Sequence, residues 1–303
     1  TLRLNRPNWD VVDGDVRQID FRKYRGTIDV ITGGFPCQAF SYAGKKLGFK
    51  DARGTLFYEF AGAVDEVRPL IAVGENVRGL LNHDSGRTLA GMQSILRELG
   101  YRLIPPQVLN ALLYKVPQKR ERLFLVAIHA DLSASFEFPR PLSQTYTLRD
   151  ALKKGVLYGC DVPESEGQRY PAEKARVMDM VPPGGYWRDL PDEEQRAYMQ
   201  RSYFLGGGKT GMARRMSWDE PSLTLTCAPA QKQTERCHPD ETRPFTVREY
   251  ARIQTFPDDW VFAGSVTSQY RQIGNAVPVN LGFALGQSLV EALNQTRKSD
   301  LTA

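Results

Sequence analysis

Ile28-Asp29-Val30-Ile31-Thr32-Gly33-Gly34-Phe35-Pro36-Cys37-Gln38-Ala39-Phe40-Ser41 passes from a β-branched run through two glycines into a Pro-Cys-Gln triplet. The run predicts a strand, and the glycines and proline end it, so Cys37 is presented at a strand end. A second apolar run, Leu70 to Val73, leads into Glu75-Asn76-Val77, and Gln118-Lys119-Arg120-Glu121-Arg122 opens a third strand that continues Leu123-Phe124-Leu125-Val126. In open α/β sheets ligands collect beyond the carboxyl ends of the strands. A cysteine, a carboxylic acid and two arginines at successive strand ends therefore suggest one site. Between residues 29 and 128 strand patterns alternate with amphipathic helix patterns near 55–67 and 88–99, which predicts an α/β fold with a doubly wound, mostly parallel sheet.

The composition bounds the alternatives. In 303 residues, 41% hydrophobic and 25% charged, a sizeable core is available, and no apolar run reaches the length of a membrane span. Forty Lys and Arg against thirty-five Asp and Glu leave +5, which permits a polyanionic partner without demanding one. The four cysteines at 37, 160, 227 and 237 offer no CxxC pair, and the three histidines at 83, 129 and 238 offer no HExxH, so neither a metal site nor a disulfide framework is expected. Free thiols fit a reducing compartment.

Three segments follow from the change in texture along the chain: 1–150, 151–243 and 244–303. The middle segment, with Pro182-Pro183-Gly184-Gly185 and Gly206-Gly207-Gly208, loses the strand–helix rhythm and reads as an insertion of loops and short strands. Regularity returns at Thr246, a possible cap with Glu249 three residues on, in a helix that Pro257 ends. A last helix from about Pro278 to Leu293 places Leu281, Leu285 and Leu289 on one face.

Pro-Cys-Gln, Glu-Asn-Val and Gln-x-Arg-x-Arg in this order, with Gly274-Asn275-Ala276-Val277 near the end, resemble the DNA (cytosine-5)-methyltransferases of bacterial restriction-modification systems, over about Gly14 to Leu285. The resemblance implies a Rossmann-like S-adenosyl-L-methionine-dependent fold with a smaller inserted DNA-recognition domain: 1–150 catalytic, 151–243 target-recognising, 244–303 catalytic again. It implies that C5 of a flipped cytosine in double-stranded DNA receives the methyl group through a covalent Cys37–C6 adduct, a step that a thiolate suits. It places Glu75 at N3 and the exocyclic amine, Arg122 at the cytosine O2, and Arg120 behind the pocket or at a phosphate. On strand alternation both arginines are expected on one face. Asp15, Val16, Leu56 and Asn275 resemble cofactor-pocket positions. Ser41, Lys45 and Arg53 fall in a basic Gly-containing loop like the family's active-site loop, expected near phosphates. Lys209 in the Gly-rich loop, Arg215 heading an arginine-led motif, and Thr224 in a Thr-Leu pair are the expected DNA contacts of the insertion.

The family's first motif, Phe-x-Gly-x-Gly followed by an acid, does not precede Asp15, and the chain starts at Thr1. Weak cofactor binding by these residues alone is therefore expected, with further N-terminal residues or a second polypeptide supplying the loop. A cytoplasmic bacterial location, on the nucleoid when DNA-bound, and no membrane contact are also expected. Two alternatives stay open: a tRNA cytosine-5 methyltransferase of the same family, and a non-catalytic protein that flips or clamps a base.

Overall fold

The computed structural model describes residues 1–36 and 56–300. In chain order its elements are α1 (Leu2–Asn5), β1 (Val30–Gly34), α2 (Leu56–Val67), β2 (Ile71–Val77), α3 (Arg87–Glu98), β3 (Tyr101–Leu103), β4 (Gln107–Asn110), β5 (Gln118–Lys119) and β6 (Glu121–His129). Then come α4 (Leu148–Leu152), α5 (Ala172–Asp179), α6 (Asp192–Met199), β7 (Ser222–Leu223), α7 (Val247–Ile253), α8 (Val266–Asn275) and α9 (Val279–Asp300), with short 3-10 turns between them. They divide into two compact units. A sheet unit takes residues 12–110, 121–140 and those from 283 on, and a second unit takes 1–11, 111–120 and 141–282.

In the sheet unit the order is β1-β2-β6-β3, with β4 also paired to β6. Residues Leu123 to Ile128 of β6 are all buried, as a central strand covered on both faces requires. Against it α2 buries Phe57, Phe60, Ala61 and Val64, an i, i+3, i+4, i+7 stripe, and α3 adds Leu89, Met92 and Leu96 to the same core. The expected α/β class is present. Within this sheet the expected parallel pairing is seen among the described residues in β1·β2 alone, whereas β2, β3 and β4 all run antiparallel to β6. Hydrophobic runs of a covered strand look the same in either direction. On the outer side of β6 one edge strand is split into β3 and β4 by Ile104-Pro105-Pro106. Proline has no N–H to give the ladder, and after Ile104 N donates to Val126 O (2.9 Å) pairing lapses until Gln107 meets Phe124.

The second unit holds two apolar clusters. One joins Leu148, Ala151, Met216 and Leu225 to Phe245, Tyr250, Ile253, Tyr270 and Ile273. The other surrounds Met178, Trp187, Met199, Met212 and Cys237. The first cluster binds α4 and the stretch 216–225 to α7 and α8, and the unit that holds it runs on to Gly282. The Thr246–Glu249 capping box forms as expected: Thr246 N donates to Glu249 Oε2 at 2.7 Å and the Thr246 hydroxyl accepts from Glu249 N.

His238 in this unit is buried. Its Nδ1 accepts the backbone N–H groups of Asp240 and Glu241, both at 3.2 Å, while Trp218 and Phe245 meet the ring edge-on. Burial pushes its pKa below the usual 6.5, with Glu249, 3.8 Å from Nε2, pulling the other way and Arg243 adding to the depression. Below pH 6.5 the unfolded chain takes up a proton that the folded site refuses, so stability should fall as pH drops through 6.5 toward the folded value. His238→Gln should flatten this slope in urea titrations at successive pH values, and an unchanged slope would remove His238 as its source.

Candidate active site

Because β2 runs parallel to β1 and antiparallel to β6, the carboxyl ends of β1 and β2 and the start of β6 lie on one border of the sheet, with Gly34 opposite Glu75 and Val77 opposite Arg122. Glu75 faces Phe124, so Arg122, two residues earlier, is its diagonal neighbour on the same face. The Arg122 Nε lies 2.8 Å from Glu75 Oε1, the side chains retaining 13% and 20% of their exposure. Arg122 Nη1 also donates to Glu121 O at 2.8 Å. Burial lowers the Arg122 pKa from its usual value and the Glu75 charge raises it again, so a fixed cation–anion pair persists in a partly dehydrated place. A Cβ on Gly34 would come 3.2 Å from Glu75 Oε2, so the glycine leaves room for the carboxylate. Asn76, buried, donates from Nδ2 to Phe35 O at 2.7 Å and accepts Val77 N at 2.9 Å. It thus fastens the main chain two residues before Cys37. Cys37, Ser41, Lys45 and Arg53 lie outside the described residues.

Three of the four cofactor candidates belong to the sheet unit. Asp15 caps a single 3-10 turn, Val16–Gln18, accepting from Arg17 N at 3.0 Å, and its carboxylate is gripped by the Arg17 guanidinium. Hydrogen bonding to Arg17 holds the Asp15 pKa at about 2, so it stays a hydrogen-bond acceptor through the neutral range. Leu56 opens α2, partly exposed. Asn275 lies in the second unit, at the end of α8, where its Oδ1 accepts from Cys227 Sγ at 3.0 Å.

Arg120 departs from expectation. The chain passes between the units after it, β6 begins only at Glu121, and the side chain is 1% exposed in the second unit. Its guanidinium donates to Leu225 O (3.0 Å), Gly274 O (2.9 Å) and Ala276 O (3.0 Å). Gln118, fully buried, accepts Leu225 N at 2.9 Å and donates to Gln254, which in turn donates to Ile273 O at 2.8 Å. Gly274 is closed in as well: a Cβ there would stand 2.4 Å from Thr226 O. Arg120 thus clasps the Gly-Asn-Ala-Val segment and the Thr-Leu pair. Gln254 carried no sequence signal, since its partners are main-chain carbonyls and one distant glutamine.

The DNA contacts expected in the insertion are mostly engaged internally. Arg215, 5% exposed, donates to Val181 O, Met178 O, His238 O, Pro239 O and Thr242 Oγ1, so it organises the unit and has no donor to spare for a base. The Thr224 hydroxyl donates to Lys119 O at 2.6 Å. The Lys209 ammonium turns back onto the carbonyls of Ser202 and Leu205.

An α/β unit with an acid–arginine pair where the carboxyl ends of β1 and β2 meet the start of β6 has the build of the S-adenosylmethionine-dependent methyltransferases. The family model for C-5 cytosine-specific DNA methylases matches residues 1–291, and the chain belongs to that family. It is 66% identical to the Type II methyltransferase M.Eco47II of Escherichia coli over 98% of its own length and 72% of that protein's. It is 58% identical to the Type II methyltransferase M.PspPI of a Psychrobacter strain over the same shares. A crystal structure of a Spodoptera frugiperda DNMT2 variant shares the fold, with a TM-score of 0.62 at 16% identity over 96% of this chain and 87% of that one. The chain is a DNA (cytosine-5-)-methyltransferase whose methyl donor is S-adenosyl-L-methionine. No single helix among the described residues is long and apolar enough to cross a membrane.

Proposed function

We propose that the Cys37 thiolate adds to C6 of a flipped cytosine, raising electron density at C5, while Glu75 and Arg122 neutralise the charge that develops on the ring. The observation that carries this reading is the Glu75–Arg122 pair at 2.8 Å, set on the border of the sheet where Asn76 holds the Phe35 carbonyl just before Cys37. Two partners fixed against each other before substrate arrives need no reorganisation when charge appears, the condition under which such stabilisation is most effective. Arg122 orients the carboxylate, and its fork has geometry suited to the exocyclic O2 of cytosine. S-adenosylmethionine supplies the electrophilic methyl group. Asp15, through its acceptor oxygens, and Val16, through its N–H, would hold the adenine end, with Leu56 against the ring. Loss of the C5 proton and elimination of Cys37 then restore the aromatic ring.

The insertion within 151–243 is proposed to read the DNA sequence, as the modification partner of a restriction enzyme working on chromosomal DNA in the bacterial cytoplasm. Duplex DNA containing 5-fluorocytosine tests the nucleophile, because fluorine at C5 blocks the final elimination. The wild-type protein should be trapped through Cys37 in a denaturation-resistant complex. Trapping that persists in Cys37→Ser, with Cys160, Cys227 or Cys237 carrying the adduct, would overturn the assignment.

A further inference from the structure

The loop from Phe204 to Lys209 is closed at its base and apolar at its tip. Buried Trp187 donates from Nε1 to Gly208 O at 3.4 Å, and the Lys209 ammonium, on a residue with φ +46°, ties down the carbonyls of Ser202 and Leu205. With Gly206, Gly207 and Gly208 between these ties, the side chains left in water are Phe204, 78% exposed, and Leu205, 64% exposed. They do not dangle. The Phe204 ring meets Tyr203 edge-on at 5.3 Å and Tyr203 meets Trp187 at 6.0 Å, an aromatic ladder rooted in the unit's core. Cations flank the ladder: Arg196 lies 5.1 Å over Tyr203, Arg188 5.1 Å over Trp187, and Arg201 sits in the turn that ends at Phe204. The acids of α6 crowd its first turn, at the end away from this loop, and Glu194 among them is paired with Arg176.

Water is a poor environment for two adjacent exposed apolar side chains held in place by this many ties. Arginines for phosphates around a ring for base faces match the chemistry of a nucleic-acid duplex. We propose that Phe204 and Leu205 form an apolar wedge that packs against the bases of the DNA this enzyme methylates; this rests on the reading of 151–243 as the DNA-reading region. Lys209 then serves recognition indirectly, as the tie that keeps the wedge presented.

The test uses the full chain and two fluorescein-labelled duplexes, one carrying the target site mapped by sequencing DNA that the protein has methylated, the other a scrambled sequence. Phe204→Ala combined with Leu205→Ala should weaken binding to the target duplex about fivefold to a hundredfold, the range for loss of an aromatic contact with a base. The slope of affinity against salt should stay the same, because no counterion-releasing arginine has changed. Phe204→Trp should keep wild-type affinity. Wild-type affinity in the double variant, or an equal loss on both duplexes with a shallower salt slope, would overturn the wedge. A chimera carrying residues 151–243 from a relative of different specificity separates the two readings. If it methylates the relative's target while the double variant binds normally, only the wedge fails; if it keeps the original target, the region's assigned role fails and the wedge with it.

Discussion

Glu75→Gln should lower kcat for cytosine methylation by about a hundredfold to a thousandfold, the usual loss when one preorganised partner of a developing charge is removed, with little change in the dissociation constant for target DNA. The amide keeps the shape of the carboxylate but forfeits its charge and its pairing with the Arg122 Nε at 2.8 Å. Arg122→Met should show the same split between turnover and binding, since the carboxylate then loses the group that orients it. Near wild-type kcat in Glu75→Gln, or a loss confined to DNA affinity, would remove the pair from the chemical step.

Arg120→Met should cost stability in the second unit and impair activity only through it. The carbonyls of Leu225 and Gly274 lose this donor, while that of Ala276 keeps Gln254 Nε2 at 3.3 Å. At about 1–3 kcal/mol for each buried acceptor left unsatisfied, a loss of about 2 kcal/mol or more is expected. Arg120→Lys should recover little, because one ammonium cannot span three carbonyls on separate stretches of chain. Tryptophan emission reports this cleanly: the four tryptophans, at 9, 187, 218 and 260, all belong to the second unit. An urea midpoint for Arg120→Met equal to wild type would show that the clasp is dispensable.

The difference between Arg122 and Arg120 marks how far the sequence could be read. Glu75, Asn76 and Arg122 meet through β-sheet register, and their pairing follows once β2 and β6 are recognised as neighbours. Alternation carried from Gln118 to Val126 put both arginines on one face, but β5 ends at Lys119 and β6 starts at Glu121, so the chain breaks its period at Arg120 itself. The internal partners of Arg215 and Lys209 were not legible for a related reason. Each spends its donors chiefly on main-chain carbonyls, and a carbonyl is present at every residue, so no side chain advertises the partner. A basic residue in a polar, Gly-rich stretch therefore looks like a DNA contact until the backbone path is known. The α/β class and the helices around the sheet were legible from periodicity. Strand direction was not, because Leu123 to Ile128, covered on both faces, shows no alternation.

The boundaries of the two units cut the chain after residues 11, 110, 120, 140 and 282, the last of these inside α9. During synthesis neither unit can be completed when its first segment leaves the ribosome. The second unit waits for α7 and α8 to close its cluster around Tyr250 and Tyr270, and the sheet unit takes its last segment from residues 283 on. The cluster around Tyr250 and Tyr270 therefore closes only once α8 has been made, whereas the clusters around Phe57 and Leu125 and around Met178 and Trp187 draw on residues before 128 and within 170–237 and are available earlier.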